Sequence, residues 1–280
     1  MVVYLEGPQL TQALLRVKSW EDQAPYSWRL IGCLHSQIDM DCGHIFIVDQ
    51  WPQFKAICTL PNKKCICWFF FDVVYQDGKE DGFLEKFLFD SKLWEVAKPL
   101  ENATIHWAVE RTGILDDLCR FKNLTGTNDE TFAKLVSDER SLIPQSIPVG
   151  YVLGVLTKED IPVVHENWVL GREDNVEFVR SSLVHFPSVA LRDSKGHLVG
   201  WYATYYIGEM GMLTVLEEHR GKGLAKCLIY ELAKKLFALK RYPYSYVDIN
   251  NMPSVKSHER CGFRMAPSCD TYFKDLLKTV

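Results

Sequence analysis

The segment richest in chemistry runs Met212-Leu-Thr-Val-Leu-Glu-Glu-His-Arg220-Gly-Lys-Gly-Leu-Ala-Lys226. An apolar, strand-like stretch leads through a charged turn into Leu224, Leu228, Leu232, Leu236 and Leu239, whose spacings of four and three predict one face of a long helix. A helix N-terminus presents unpaired backbone N–H groups and the positive end of the helix dipole. Gly221 and Gly223 leave those donors open to an anion, and Arg220 and Lys222 add positive charge beside them. Such a turn can cradle a diphosphate without a metal ion. The alternative is a solvated basic turn with a glycine cap. A P-loop is excluded, because Leu224 follows Gly223 where Ser or Thr would have to follow Gly-Lys. The dinucleotide fingerprint also fails, since no third glycine falls three residues after Gly223.

The elements around this turn read most clearly in the second half. Strands are expected at 152–156, 188–191, 197–207, 209–216 and 244–249, with helices at 158–169, 175–185, from 222 onward, and at 254–261. Asp193-Ser-Lys-Gly196 reads as a hairpin turn, Gly262 as a helix stop, and 271–277 as a tail that closes the sheet. In the first half, 28–37, 54–60 and 65–75 read as strands, while 82–89, 114–121 and 130–137 have helical spacing. That half is mixed α/β and carries no catalytic constellation. Two prolines and a glycine in Ser141-Leu-Ile-Pro-Gln-Ser-Ile-Pro-Val-Gly150 mark the expected boundary between domains at 1–145 and 151–280. The fold class expected is α+β, with a mostly antiparallel sheet in the second domain.

Composition narrows the options. At 280 residues the chain has room for two domains. Apolar residues make up 47% and charged residues 24%, which excludes a disordered or collagen-like chain. The net charge of -4 lacks the basic excess of a nucleic-acid binder. The longest apolar run, 66–71 with Cys65 before it, is far short of a membrane span. Nine cysteines without pairing rhythm point to a reducing compartment rather than a disulfide framework. Cys33, His35, Cys42 and His44 lack the paired knuckle spacing of structural zinc sites, so no metal is expected. The first residues lack a basic region followed by an apolar core, so no secretory signal is read and an intracellular protein is expected.

Arg220-Gly-Lys-Gly-Leu-Ala225 behind an apolar strand resembles the Arg/Gln-x-x-Gly-x-Gly/Ala signature of the GCN5-related N-acetyltransferase (GNAT) superfamily, which binds coenzyme A. Asn251-Met-Pro-Ser-Val-Lys-Ser-His-Glu-Arg-Cys-Gly-Phe263 is similar to that superfamily's second signature. Ile47-Val-Asp-Gln-Trp-Pro-Gln-Phe54 is similar to a segment of the glycine N-acyltransferase family. So are Phe186-Pro-Ser-Val-Ala-Leu-Arg-Asp-Ser-Lys-Gly196 with Trp201, and Glu217-Glu-His-Arg220. The resemblance implies a C-terminal GNAT fold, with a splayed strand pair for CoA, behind a mixed α/β N-terminal domain. It implies transfer of an acyl group from acyl-CoA to the amine of glycine or another small amino acid, with acyl-CoA as co-substrate.

The same resemblance distributes roles. Backbone groups of Leu213, Thr214 and Val215 are expected to pair with the pantetheine arm, and a backbone N–H there to polarise the thioester carbonyl. Arg220, Gly221, Lys222, Gly223, Leu224 and Ala225 hold the diphosphate, and Asn251 and Ser254 contact CoA. Glu209, at the Gly-Glu-Met position, is the expected base for the ammonium. His258 stands where many acetyltransferases of the superfamily place a tyrosine that protonates the thiolate. A catalytic histidine and a surface histidine on a short helix are both open there. Two other functions compete: an acetyltransferase acting on a protein or polyamine amine, and a CoA-binding interaction domain without turnover. A polyamine acceptor favours an acidic slot and an amino acid a positive one. A monomer is expected, in mitochondria by resemblance, with the cytoplasm as the alternative.

Overall fold

The computed structural model describes residues 2–20, 27–61, 70–75, 87, 90, 102–108, 124–169, 171 and 173–278. The chain divides into one unit formed by Met1–Phe132 with Pro267–Val280 and a second formed by Ala133–Ala266.

In the first unit, β1 (Val3–Leu5), α1 (Pro8–Lys18), α2 (Trp28–Met40), β2 (His44–Val48), β3 (Ala56–Pro61), β4 (Phe70–Tyr75) and β5 (Asn102–Ala108) follow in order. β1, β2, β3 and β4 pair antiparallel in sequence, and β4 pairs parallel with β5. The last strand of the chain, β12 (Arg264–Lys278), pairs antiparallel with β5 from Thr271↔Ala108 to Leu277↔Asn102. The strand expected at 271–277 is therefore present, but it does not close the second domain's sheet: it lies beside β5 in the first unit. Helix α1 starts with proline in its first turn and buries Leu10, Ala13, Leu14 and Val17 along one face.

Residues 28–37 are helix, not the expected strand. Leu30, Cys33 and Leu34 are all buried, and they repeat at helical rather than alternating spacing. The helix stops where Asp41 turns left-handed, at φ 49. The 47–54 segment that carried part of the resemblance is a braced connection between β2 and β3. Asp49 Oδ1 accepts from the backbone N–H groups of Lys55 (2.8 Å) and Ala56 (2.9 Å). Arg16 donates to the Phe54 carbonyl, and the Trp51 and Phe54 rings stack. Its residues hold the turn in shape. Among the zinc-tempting residues, His35 meets Lys18 Nζ at 3.0 Å and His44 meets Thr59 Oγ1 at 3.1 Å. The helical readings at 82–89 and 114–121 fall outside the described residues, save Phe87, as does 65–69 of the expected 65–75 strand.

The stretch 130–137, read as helical, belongs to strand β6 (Leu124–Val136). Ala, Lys and Leu are good helix formers, but β6 lies between β11 (Tyr244–Asp248) and β12 in strand order. Ala133, Lys134, Leu135 and Val136 are buried there, and pairing overrides propensity.

The second unit holds a four-stranded antiparallel sheet in the order β10-β9-β8-β7, built from β7 (Tyr151–Gly154), β8 (Ser188–Asp193), β9 (Leu198–Thr204) and β10 (Met210–Val215). Helices α3 (Ile161–Asn167) and α4 (Val176–His185) precede β8; α5 (Leu224–Ala238) follows β10, and α6 (Met252–Glu259) follows β11. The leucine face of α5 packs with Val189, Leu191, Val199, Tyr202 and Met210 in one apolar cluster. Gly200 allows the close approach, since a Cβ there would stand 3.3 Å from Leu228 Cδ1 and 3.1 Å from the Thr214 carbonyl oxygen. Leu239 leaves that face: it follows the helix as its cap and is half exposed.

The proline-rich stretch 141–150 is irregular, as read, but does not separate the units. Ile143 N–H donates to the Cys261 carbonyl at 3.0 Å, and Leu142 and Ile147 pack against the second unit's core. Both ends of the second unit instead fall within strands, between Phe132 and Ala133 in β6 and between Ala266 and Pro267 in β12. Turn residues mark irregular backbone, and here that backbone is an integral strap of one core. Among the described residues, no helix is long and apolar enough to cross a membrane.

Candidate active site

Strand β10 is distorted at its centre. Met210 and Gly211 pair with Thr204 and Ala203, but Thr214 and Val215 pair with Trp201 and Gly200, so β10 carries one extra residue. The extra residue forms a bulge, and buried Met212 takes a φ of 61 there, rare for a side chain of its size. The neighbouring strand β11 belongs to another sheet. The two strands touch near their starts, where Tyr244 Oη donates to the Ile207 carbonyl (2.6 Å) and Ser245 Oγ to the Met210 carbonyl (2.9 Å). Among the described residues, no hydrogen bond joins 212–215 to 247–248. The expected splay between these strands is present.

Glu209 sits at the closed end of that splay. The Gly208 turn, with φ 83, returns the chain so that Tyr205 N–H donates to the Glu209 carbonyl at 2.8 Å. The Glu209 side chain is buried, and its Oε1 accepts from the Tyr246 N–H at 3.4 Å. The carboxylate is thus shielded from solvent. Lys134 lies on the other side of β11's tyrosines, its Nζ 4.9 Å from the Tyr244 ring centroid and 5.4 Å from that of Tyr246.

At the open end, Leu216 leaves β10, a short turn of 3-10 helix spans Glu217–His219, and α5 begins at Leu224. Gly221 and Gly223 both take positive φ, 75 and 82, so side chains at either position are strained. A Cβ at Gly221 would meet nothing within 4 Å. Among the described residues, no backbone acceptor takes up the N–H groups of 221–225. Arg220 Nε is tied to the Val215 carbonyl (3.0 Å) and Lys222 Nζ to the Glu218 carbonyl (3.1 Å). Tyr151 steadies the turn: its hydroxyl meets His219 Nδ1 at 3.0 Å, and Lys222 lies over its ring. The turn is an open, glycine-lined concavity of N–H donors with two anchored cations. Those residues fit a diphosphate. Glu209, Leu213, Thr214, Val215, Arg220, Gly221, Lys222, Gly223, Leu224 and Ala225 thus share one continuous strand-turn-helix unit.

Asn251 and Ser254 lie at the start of α6. Asn251 is exposed and caps the helix, its Oδ1 accepting from the Ser254 N–H at 3.3 Å. His258 is the correction. It is neither on the surface nor at the slot: it has 0% exposure, with Nε2 at 2.9 Å from Tyr202 Oη and Nδ1 at 2.9 Å from the Ser254 carbonyl. Burial pulls its pKa down to about 4. A neutral imidazole wedged between the Tyr202 and Phe263 rings is a packing group, not a proton donor to a thiolate.

One residue escaped the sequence reading. Tyr205, in the β9–β10 turn, packs its ring against Phe178 and Trp168, with centroids 5.1 and 6.4 Å away. Burial first, and then the neighbouring Glu209 carboxylate, push its pKa well above the ordinary phenol value. The one signal in the sequence was Gly211, which has no side chain where the ring lies.

Comparison with known proteins fits this geometry. A family model described as FR47-like protein matches residues 189–273. Bovine glycine N-acyltransferase is 25% identical over 94% of this chain and 96% of its own length. A crystal structure of a Drosophila protein superposes with a TM-score of 0.77 at 15% identity, covering 98% of this chain and 97% of that one. The fold is that of GNAT proteins, and over nearly its whole length the chain is similar to glycine N-acyltransferases. A tandem GNAT protein from the clavulanic acid biosynthesis pathway matches with a TM-score of 0.60 at 13% identity, over 99% of this chain and 98% of its own.

Proposed function

We propose that this GNAT-superfamily protein is an acyl-CoA-dependent N-acyltransferase acting on the amine of glycine or another small amino acid. The observation that carries the reading is the arrangement along β10. A buried carboxylate stands at one end, a splayed and bulged strand lies between, and an unclaimed set of backbone donors stands at the other. Six residues separate Glu209 from Val215, which at the usual strand rise is about 20 Å. An extended pantetheine arm laid along that edge reaches from the cradle towards the carboxylate. The bovine relative bears the name glycine N-acyltransferase, and another bovine relative, 23% identical, the name glycine N-phenylacetyltransferase.

In this reading the glycines at 221 and 223 and the cations Arg220 and Lys222 anchor the CoA diphosphate. Leu213, Thr214 and Val215 align the arm through their backbone. Asn251 and Ser254 lie past the end of β11, on the other wall of the splay. Glu209 takes the proton from the acceptor ammonium, directly or through water, and the free amine attacks the thioester carbon. The tetrahedral intermediate then collapses, the C–S bond breaks, and CoA leaves as thiolate, which takes up the proton that the nitrogen sheds. His258 has no part in that last step.

The test is to incubate the full chain with acetyl-, benzoyl- and phenylacetyl-CoA against glycine, glutamine, a polyamine and a lysine peptide, and to identify products by mass. Acylated amino acid is expected. Acylated polyamine or peptide alone overturns the acceptor assignment, and CoA binding without any product leaves a binding domain. Mitochondrial residence is part of the same reading and is checked by fractionation.

A further inference from the structure

We propose that Lys134 binds the carboxylate of the acceptor amino acid, so that the protein recognises its acceptor as a zwitterion. This rests on the acyl-transfer reading above and names a group that the reading leaves out. An amino acid brings two charges to the site, and Glu209 accounts for its ammonium alone. The carboxylate calls for a cation. Arg220 and Lys222 belong to the diphosphate cradle, at the far end of β10. Lys134 stands at the end where Glu209 is.

The strands place it there. Leu135 and Val247 pack in the apolar cluster with α5, so their neighbours Lys134 and Tyr246 face the opposite side of β6 and β11. On that side the Lys134 Nζ lies 4.9 Å from the Tyr244 ring centroid and 5.4 Å from that of Tyr246. From the other edge of β11, Glu209 Oε1 accepts from the Tyr246 N–H at 3.4 Å. Tyr246 therefore meets both charges, the ammonium with its ring and the carboxylate with its backbone. β6 and β10 flank β11 at this end, about two strand spacings or 10 Å apart. A small zwitterion with a charge-assisted hydrogen bond at each end fills about that span.

The chemistry suits the task. Lysine is rarely buried as fully as Lys134, which is 2% exposed. The electron-rich ring faces hold the ammonium in place. Those rings are themselves fixed: Tyr244 Oη donates to the Ile207 carbonyl at 2.6 Å, and the two tyrosines meet edge to face with centroids 6.0 Å apart. An ammonium has three N–H donors, so it can serve a carboxylate while the rings steady it. Joining β6 to the core needs no charge here, since Ala133, Leu135 and Val136 are buried beside it. One carboxylate and one ammonium complement an α-amino acid. A polyamine would set a second positive charge against Lys134.

The experiment uses the full chain, with acyl-CoA held saturating, and compares glycine and glutamine, each beside its α-amide. The amides keep the amine and lose the carboxylate. The wild type is expected to prefer the acids. Lys134→Met, which keeps the length of the side chain and removes the charge, is expected to raise KM for the acid about 10²-fold. Its KM for acyl-CoA should stay put and its rate with the amide change far less, so that the preference collapses. Lys134→Arg, which keeps the charge, should retain part of the preference. Thermal melting shows that each variant is folded.

A wild type that takes amide and acid equally well overturns the inference with no variant needed. A Lys134→Met protein with an unchanged ratio of acid to amide also overturns it, whether both rates stand or both fall, the latter marking Lys134 as a packing residue. Equal loss of the preference in Lys134→Arg shows that charge is not what counts, and overturns it too. All these outcomes leave acyl transfer to an amino acid standing. A wild type that acylates no amino acid overturns the acyl-transfer reading itself, and this inference falls with it.

Discussion

The burial of His258 predicts how the protein responds to acid. Its Nδ1 faces a carbonyl, which can only accept, so Nδ1 carries the proton and Nε2 receives the Tyr202 hydroxyl. A second proton would have to enter a site already satisfied and shut off from water. Burial therefore lowers the pKa from 6.5 to about 4 in the folded chain. The unfolded chain takes its proton near the ordinary value. Above that value neither state is protonated and the full stability is present. As pH falls from 6.5 towards 4 only the unfolded state binds the proton, and stability drains away. The whole interval corresponds to about 3 kcal/mol, and about 2 kcal/mol of it is lost by pH 5. Against a domain stability of about 5–15 kcal/mol, that is large.

The assay is urea unfolding of the full chain, followed by circular dichroism between pH 8 and pH 5, for the wild type and for His258→Gln. The variant is less stable at pH 8, having lost its hydrogen bonds, but its stability falls less on acidification. The two curves should converge by about 2 kcal/mol by pH 5. Parallel curves would refute the buried, neutral histidine and reopen its part in catalysis.

Other consequences are as concrete. Glu209→Gln should keep affinity for acyl-CoA and lower turnover about 10²–10⁴-fold, with partial recovery in alkaline buffer; pH-independent loss removes Glu209 as the base. Asp160 is buried, accepts from Thr157, and takes two hydrogen bonds from Arg192 Nη2 at 2.9 and 2.8 Å. Asp160→Ala should cost about 3 kcal/mol in denaturant unfolding, and a loss under 1 kcal/mol shows the pair to be solvent-screened. Gly262 has φ 90, and a Cβ there would strike the Ser141 carbonyl. Gly262→Ala should therefore lower stability by about 2 kcal/mol or more without changing CoA affinity in the folded fraction, which calorimetry and thermal melting together check.

What the sequence made legible was local. The cradle is written in consecutive residues, with glycines at 221 and 223 and cations at 220 and 222, and the leucine face of α5 repeats from Leu224 to Leu236. Hairpin signals such as Asp193-Ser-Lys-Gly196 are equally self-contained: Gly196 has φ 85, and Asp193 accepts from the Lys195 and His197 N–H groups. What escaped depends on distant partners. Residues 130–137 have helix-forming composition and become strand because β11 lies beside them. The bulge at Met212 is a mismatch between β9 and β10, invisible in either strand alone. His258 and Tyr205 differ from surface residues only in what closes over them, Tyr202 and Phe263 for one, Gly211 and Phe178 for the other. The domain boundary misled for a related reason: prolines at 144 and 148 report irregular backbone, and only Cys261 and Gly262, far along the chain, show which core that backbone serves.

The central claim is that the turn entering α5 holds a CoA diphosphate on its backbone donors. Calorimetric titration of CoA into the full chain tests it most directly, beside pantetheine, which lacks the diphosphate, and beside a Gly223→Val variant shown by thermal melting to be folded. The account predicts saturable binding of CoA that weakens as salt rises, much weaker binding of pantetheine, and loss of CoA binding in the variant. A flat titration of the wild type, or a variant that binds CoA unchanged, would contradict it.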